Sequence, residues 1–324
     1  MRKGDGDPPP AKAVARDIAP YRRGNTGIDF VHRFDSGRPG PSVAIAGLTH
    51  GNEICGMTAV TWLLDRGVRP RAGTLTLWLG NVAAYERMRA DLPERHTRHR
   101  FVDRDLNRAW ADEVIAGDLV SLEAHRVREL LPVVEAQDRL LDIHSTTYCG
   151  TPFFVYRDLP RARVLAEQVG GPSAHVLLGG GQYSGLTMAE RGRFGDAGAE
   201  ATCLVVECGR HLDAAAGDTA LQVALDFLAA CGTLDRDFVA AHRPAPAAAA
   251  PTRRFRVEQV FRPVHDDARF ARDFVSFETL PAGAPIAFDG DRTLTAPFDE
   301  CVILMPTPVI AKGRDMVTLA RIVD

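Results

Sequence analysis

Apolar runs of strand length alternate along the chain with stretches whose apolar residues recur at helical spacing. The predicted strands lie at residues 27–34, 43–47, 74–79, 139–143, 153–156, 175–178 and 202–209. The predicted helices lie at residues 54–64, 118–135, 161–169 and 214–230. Because strand and helix alternate, the pattern predicts an α/β fold whose mixed, largely parallel central sheet is flanked by helices.

The composition and the hydrophobic pattern of the chain change at both ends of this alternating region. Residues 1–16 are rich in Pro, Gly, Ala and charge without periodicity, which predicts a disordered N-terminal tail. The α/β pattern fills residues 17–239, and a Pro- and Ala-rich linker follows at 240–254. Residues 255–324 carry short apolar runs separated by turn residues, which predicts a small C-terminal β-rich domain.

Composition and charge narrow the classes of function. The 324 residues are 45% hydrophobic and 25% charged, and the formal net charge of -3 argues against a nucleic-acid partner. No apolar run is long enough to span a bilayer, and the polar start lacks the apolar core of a secretory signal, so we predict a cytoplasmic protein with no membrane partner. The six cysteines are scattered without a Cys-x-x-Cys pair, which is typical of free thiols in a reducing compartment.

Two of the predicted strands are followed by a histidine. His50 follows the strand at 43–47, with Glu53 three positions later, and His144 follows the strand at 139–143. The carboxyl ends of parallel strands meet at one edge of the sheet, where open α/β sheets hold their ligands. Two imidazoles and one carboxylate form a ligand set of hydrolytic zinc sites. We therefore predict that these three residues bind one zinc ion per subunit, although a lone strand-end histidine is more often a hydrogen-bonded core residue.

Two further carboxylates lie near the ends of predicted strands, Glu207 at 202–209 and Asp142 at 139–143. Glu207 is delivered by the strand at 202–209, where burial raises a carboxyl pKa and a nearby cation lowers it. Beside a metal-activated water it is a candidate general acid/base, and a strand-end salt bridge is the alternative. Asp142 is either structural or holds a ligand histidine through its other ring nitrogen.

The most polar part of the α/β region lies between residues 91 and 108. Its His96 and His99 are typical of a solvated loop. The stretch Asp105-Leu106-Asn107-Arg108 differs, because a single Leu is flanked by residues that can bind a carboxylate or hold a residue that does. An arginine fork can grip a substrate carboxylate with two parallel hydrogen bonds.

Four motifs, in this order, resemble the succinylglutamate desuccinylase/aspartoacylase family, which has a zinc carboxypeptidase-like fold. They are His50-Gly51-Asn52-Glu53, Asp105-Leu106-Asn107-Arg108, Asp142-Ile143-His144 with Thr146-Thr147, and Glu207-Cys208-Gly209. The resemblance covers roughly residues 17–231 and implies a zinc-dependent deacylase. Its expected reaction is hydrolysis of the amide bond in a small N-acyl amino acid or a related carboxylate-bearing amide.

The resemblance also implies roles for single residues. The implied zinc ligands are His50, Glu53 and His144. The implied general acid/base is Glu207, and the residues implied to bind the substrate carboxylate are Asn107 and Arg108. All of them fall in the region 17–239, which is therefore the predicted catalytic domain.

The chain departs from the family pattern at two arginine positions. Aspartoacylases carry an arginine shortly after the asparagine that matches Asn81, whereas residues 82–84 are Val, Ala and Ala here, as in the desuccinylase branch. A further family arginine, upstream of the acid/base, matches Arg191 or Arg193, and we take Arg191 as the predicted substrate ligand although its spacing to Glu207 differs. The acyl group and the amino acid are therefore not assigned.

Two other functions share these features. A metallocarboxypeptidase-type peptidase would use the same metal ligands, and a non-catalytic zinc- or ligand-binding member of the fold would keep them without turnover. The presence of both a base and a carboxylate clamp favours the deacylase. The sequence also leaves a homo-oligomer open.

Overall fold

The computed structural model describes residues 13–91, 93–118, 120–244, 250–307 and 309–324. The strands are β1 (Val31–Asp35), β2 (Ser42–Gly47), β3 (Thr74–Leu79), β4 (Arg139–Thr146), β5 (Phe153–Arg157), β6 (Ala174–Leu178), β7 (Thr202–Arg210), β8 (Arg253–Phe261), β9 (Arg269–Phe270), β10 (Glu278–Leu280), β11 (Pro285–Asp289), β12 (Arg292–Thr295), β13 (Cys301–Leu304) and β14 (Val317–Val323). The α-helices are α1 (Ile54–Asp65), α2 (Val82–Arg89), α3 (Asp112–Ala116), α4 (Leu122–Glu135), α5 (Pro160–Val169), α6 (Ala214–Ala230) and α7 (Arg236–His242). Most of the predicted tail, residues 1–12, and residues 245–249 of the predicted linker lie outside the described residues.

One large sheet organises the molecule. Its strand order is β1-β3-β2-β4-β7-β5-β6-β8-β14-β13-β10. The centre is parallel, since β2 pairs with both β3 and β4, and β4 pairs with β7. β1 joins β3 and β5 joins β7 in antiparallel fashion. The predicted mixed, largely parallel sheet of the α/β region is confirmed.

The C-terminal β-rich region continues this sheet. β8 pairs in parallel with β6, and β14, β13 and β10 follow as antiparallel neighbours. β9, β11 and β12 form a separate three-stranded sheet. The domain limits at residues 239 and 255 stay a prediction, but the hydrogen bonds of the sheet run from one predicted domain into the other.

Helices bury both faces of the central sheet. Ile45 of β2 packs in a core that includes α1 and α6 residues, whereas its neighbours Ala44 and Ala46 belong to the core on the other face, with α4. Successive side chains of a strand point to opposite faces, so a strand covered on both sides reads as an uninterrupted apolar run. α1 lies very close to β2, because a Cβ added to Gly47 would be 2.6 Å from the carbonyl carbon of Gly56. This close packing fixes the turn between β2 and α1, which carries the candidate metal ligands.

Two predicted element limits differ in the structure. α4 begins at Leu122 and not at residue 118, because Ser121 caps it by accepting a hydrogen bond from the backbone N–H of Ala124 (3.0 Å). β1 begins at Val31 and not at residue 27, because Phe30 has a φ of 60°, which interrupts an extended strand.

Within the described ranges, no helix combines the length and apolar character needed to cross a bilayer.

Candidate metal and substrate site

Three neighbouring strands deliver the candidate residues to one edge of the sheet. After β2, Leu48 adopts a left-handed φ of 56°, which turns the chain sharply before His50. His144, in the last residues of β4, is in register with Glu207 of β7. These positions lie at the carboxyl ends of parallel strands, the usual place of a ligand in an open α/β sheet.

The three predicted metal ligands form one buried cluster. His50, Glu53 and His144 are only 1–2% exposed. Nδ1 of His50 is 2.9 Å from Oε1 of Glu53, and Nδ1 of His144 is 2.8 Å from Oε2 of the same carboxylate. One ligand atom from each residue lies within 4.8 Å of the others, so the cluster could hold a metal ion.

The other nitrogen of each imidazole is bound to a second carboxylate. Nε2 of His50 is 2.9 Å from Oδ1 of Asp105, and Nε2 of His144 is 2.6 Å from Oδ2 of Asp142. If each Nε2 carries the hydrogen and donates it to its carboxylate, each Nδ1 has a lone pair that faces an oxygen of Glu53. A nitrogen lone pair and a carboxylate oxygen are both acceptors, so a positive charge between them is needed to hold them together. Ligand histidines held by carboxylates in this way are typical of zinc sites. The donor set therefore fits a divalent cation, and Asp142 holds a candidate ligand.

The electrostatics of the cluster agree with this conclusion. Burial opposes the charged form of His144, but the carboxylates of Asp142 and Glu53 outweigh burial and raise the pKa of His144 well above its usual value. Burial also opposes the charge of Glu53, but His50 and His144 hold the pKa of Glu53 well below its usual value. The surroundings therefore favour a net positive charge at the centre of the cluster.

Glu207 lines the same cavity as the two imidazoles. Its Oε2 atom is buried and has no hydrogen-bond partner among the described residues. Burial raises the pKa of Glu207 to about 8, opposed by His144 and Arg100 and reinforced by the negative charge of Glu53. A carboxyl group with this pKa can both accept and release a proton near neutral pH.

The cavity has a volume of about 380 Å³ and is large enough for a small amino acid derivative. Asn107 and Arg108 line it. The guanidinium of Arg108 donates to the carbonyl of Asn107 (3.0 Å), lies 4.8 Å from the ring centroid of Tyr183 and is 3.7 Å from a carboxylate oxygen of Asp315. Oδ1 of Asn107 accepts from the backbone N–H of Met188 (3.0 Å), so both residues have fixed positions.

One side of the cavity is apolar and comes partly from the C-terminal region. Phe274, Val275 and Met305 of that region line the cavity together with strand residues that include Leu178 and Val205. The C-terminal region is therefore part of the candidate site, a role that the sequence left unassigned.

Two cavity residues were missed by the sequence analysis. Arg100 is an ion-pair partner of Glu53 (3.0 Å) and of Asp105 (3.2 Å). His211 is bonded through its two nitrogens to the hydroxyls of Ser145 (2.8 Å) and Thr147 (3.1 Å), and burial lowers the pKa of His211 to about 3. The position of His211, directly after β7, was a signal of the same kind as His50 and His144. Arg100 carried no comparable signal within its polar loop.

Arg191, the predicted substrate ligand, does not belong to this site. Its guanidinium forms ion pairs with Asp112 and Glu135, and it is not among the residues that line the cavity. The alternative, Arg193, contacts the backbone carbonyls of Glu135 and Gln137. Both arginines fix the loop before β7 to the end of α4, so we correct the expectation for Arg191.

A model of the succinylglutamate desuccinylase/aspartoacylase catalytic domain matches residues 39–229. The chain belongs to the succinylglutamate desuccinylase/aspartoacylase family. The resemblance stated from the four motifs is thereby confirmed. The matched range includes the His50–Glu53–His144 cluster, Glu207 and the Asn107–Arg108 pair.

Curated relatives match only part of this chain. It is 31% identical over 156 residues to the N-acyl-aromatic-L-amino acid amidohydrolase (carboxylate-forming) of Xenopus laevis, covering 43% of this chain and 48% of that protein. It is 35% identical over 141 residues to a probable aspartoacylase of Parasynechococcus marenigrum (strain WH8102), covering 40% of this chain and 42% of that protein. The match thus spans about half the length of these relatives.

Solved structures share the fold over most of the chain. A succinylglutamate desuccinylase from Vibrio parahaemolyticus superposes with a TM-score of 0.65 at 20% identity, covering 91% of this chain and 87% of that one. Murine aminoacylase 3 superposes with a TM-score of 0.60 at 17% identity, covering 88% and 96%. The predicted fold of the family member is therefore confirmed.

Proposed function

We propose that the protein is a zinc-dependent hydrolase of the amide bond in small N-acyl amino acids. The observation that carries this proposal is the convergence, in one cavity, of a His-Glu-His cluster, a buried carboxyl group with a raised pKa and an arginine. The names of the relatives, an N-acyl-aromatic amino acid amidohydrolase and a probable aspartoacylase, support the same reaction.

His50, Glu53 and His144 would hold the zinc ion, one per subunit. A zinc ion at this position supplies Lewis acidity that polarises a carbonyl and makes a water molecule more acidic. Asp105 and Asp142 keep the Nε2 side of each imidazole occupied, so that Nδ1 is the nitrogen available to a cation.

Glu207 is the proposed general acid/base. One oxygen of its carboxylate accepts a proton from the attacking water, as the water oxygen bonds to the amide carbon. The same oxygen then donates that proton to the leaving nitrogen as the C–N bond breaks. The products are an amine and a carboxylic acid, whose remaining proton passes to the amine or to solvent to leave a carboxylate, and Glu207 returns to its initial state.

Arg108 and Asn107 are the proposed ligands of the substrate carboxylate. Among the described residues lining the cavity, only Arg100 and Arg108 carry a fixed positive charge, and Arg100 is already paired with Glu53 and Asp105. Within the described part of the chain, Arg108 has only one ionic contact, at 3.7 Å from a carboxylate oxygen of Asp315, so it is the cation proposed for one substrate carboxylate. Together with the apolar side of the cavity, this favours substrates with an apolar or aromatic side chain over dicarboxylates.

A hydrolysis panel tests the proposed function. Zinc-loaded protein is incubated with acetyl, formyl and succinyl derivatives of aromatic, aliphatic and acidic amino acids, and with short peptides. We expect release of the free amino acid, fastest for the aromatic and aliphatic derivatives. Release of C-terminal residues from peptides alone would favour a carboxypeptidase, and no turnover at full zinc occupancy would favour a binding protein.

Replacing Arg108 with lysine is expected to raise KM for the best substrate by about tenfold or more, with a smaller change in kcat. Lysine keeps the charge but loses the two parallel hydrogen bonds to the carboxylate. Steady-state kinetics of Arg108→Lys and of the control Arg98→Lys, an exposed arginine of the same polar region, measure the effect. An unchanged KM in Arg108→Lys would remove Arg108 from the binding site.

The cytoplasmic location and the homo-oligomer stay predictions from the sequence.

A further inference from the structure

One buried carboxylate on α4 is bound to the loop that carries the substrate clamp. Glu123 is 0% exposed. Its Oε1 accepts hydrogen bonds from Nδ2 of Asn81 (3.0 Å) and from the backbone N–H of Val102 (2.6 Å). Its Oε2 accepts from the backbone N–H groups of Asp103 (3.1 Å) and Arg104 (3.2 Å). A carboxylate has about four acceptor positions, so these four donors satisfy it.

The backbone that Glu123 binds has no regular secondary structure between residues 100 and 105. N–H groups in such a segment lack the partners that a helix or sheet provides, and Glu123 binds three of them in succession. The loop returns the contact, since Oδ2 of Asp103 accepts from the backbone N–H of Leu122 (2.8 Å). The loop and the first turn of α4 are therefore locked together in both directions.

This loop leads directly into the candidate site. Oδ1 of Asp105 accepts from Nε2 of His50 and from the backbone N–H of Asn107 (2.8 Å). Arg108 follows Asn107. A displacement of Arg104 would therefore move both the carboxylate that orients a candidate metal ligand and the guanidinium proposed for the substrate.

Asn81 connects Glu123 to the loop of the metal cluster as well. The backbone N–H of Asn81 donates to the carbonyl of Leu48 (2.6 Å), two residues before His50. Oδ1 of Asn81 accepts from the backbone N–H of Ala84 and caps α2. The Glu123 carboxylate therefore joins three segments. They are the residues after β3, the loop that carries His50, and the loop that leads to Asn107 and Arg108.

We infer that Glu123 is a positioning residue that sets the orientation of Asp105 and Arg108, and through Asp105 that of His50. It does not line the cavity, so it acts through these residues and not on the substrate. The part of the inference that concerns substrate binding rests on the proposed function, whereas the anchoring of the loop does not.

Hydrogen exchange and kinetics together test the inference. In the unchanged protein, the amides of residues 102–104 are expected to exchange slowly although they lie in an irregular loop. In Glu123→Gln, the new NH₂ group is a donor and cannot accept hydrogen bonds from the backbone N–H groups, so we expect faster exchange at these amides. We also expect kcat/KM and zinc affinity to fall by about tenfold to a hundredfold. Glu113→Gln, the same change at an exposed position of α3, is the control and should alter none of these quantities.

The outcomes separate anchoring from function. Fast exchange at residues 102–104 of the unchanged protein would overturn the inference even if Glu123→Gln failed to fold. Unchanged kcat/KM and zinc affinity in a folded Glu123→Gln would overturn it as well. If the unchanged protein hydrolysed nothing, the proposed function would fail, and exchange and zinc affinity would still test the positioning of Asp105 and His50.

Discussion

Replacing Glu207 with glutamine is expected to lower kcat by about 10²–10⁴-fold, the usual contribution of a general acid/base. Glutamine has nearly the same shape but cannot accept and release the proton that the reaction moves. The buried Oε2 atom of Glu207 has no hydrogen-bond partner among the described residues, so the substitution removes no such bond there. We therefore expect the melting temperature and the amount of bound zinc to stay close to those of the unchanged protein.

The matched control for this substitution is Glu200→Gln. Glu200 is exposed and precedes the same strand, and its replacement should leave kcat unchanged. The measurement is steady-state hydrolysis of the best substrate from the panel at saturating concentration, with metal analysis of each sample. Full activity of Glu207→Gln at equal zinc content would show that another group moves the proton.

Replacing His144 with alanine is expected to abolish both zinc binding and hydrolysis. The substitution removes one of the three proposed ligands and leaves the buried carboxylates of Glu53 and Asp142 without their shared imidazole. Zinc that binds the folded state stabilises it by about 2.7 kcal/mol at a free concentration of 100 times Kd. We therefore expect zinc to raise the melting temperature of the unchanged protein and not that of His144→Ala.

The control for this experiment is His125→Ala, which removes an exposed imidazole of α4. It should keep the zinc-dependent rise in melting temperature and the activity. If His144→Ala bound zinc as tightly as the unchanged protein, the metal would lie elsewhere in the chain.

Sequence patterns were sufficient for the part of the site that strands deliver. His50, His144 and Glu207 each follow or end a buried apolar run, and the ends of parallel strands meet at one edge of the sheet. The local sequence pattern was therefore enough to predict that these three side chains lie close together, without any information about the loops. The same reasoning, applied to the polar residue after β7, would also have found His211.

The remainder depends on contacts between distant segments, which periodicity does not encode. Arg191 is upstream of Glu207, as the family pattern requires, but Asp112 and Glu135 bind its guanidinium away from the cavity. Arg100 is one of several arginines in a polar loop, and only the folded loop brings it to Glu53.

The C-terminal region shows the same limit. Its composition predicts a separate β-rich module, yet β8 pairs with β6 and places Met305 and its neighbours at the cavity. β9 and β10 contain two and three residues, which is too short for an alternating pattern to be recognised.

Zinc titration of the metal-free protein, with hydrolysis of an N-acyl aromatic amino acid followed at each addition, tests the metal-dependent reaction most directly. A cluster of two imidazoles and one carboxylate that holds a single ion predicts negligible hydrolysis without metal and a linear rise that ends at one zinc per chain. A rate that is already maximal before zinc is added, or that does not change as the site fills, would contradict it.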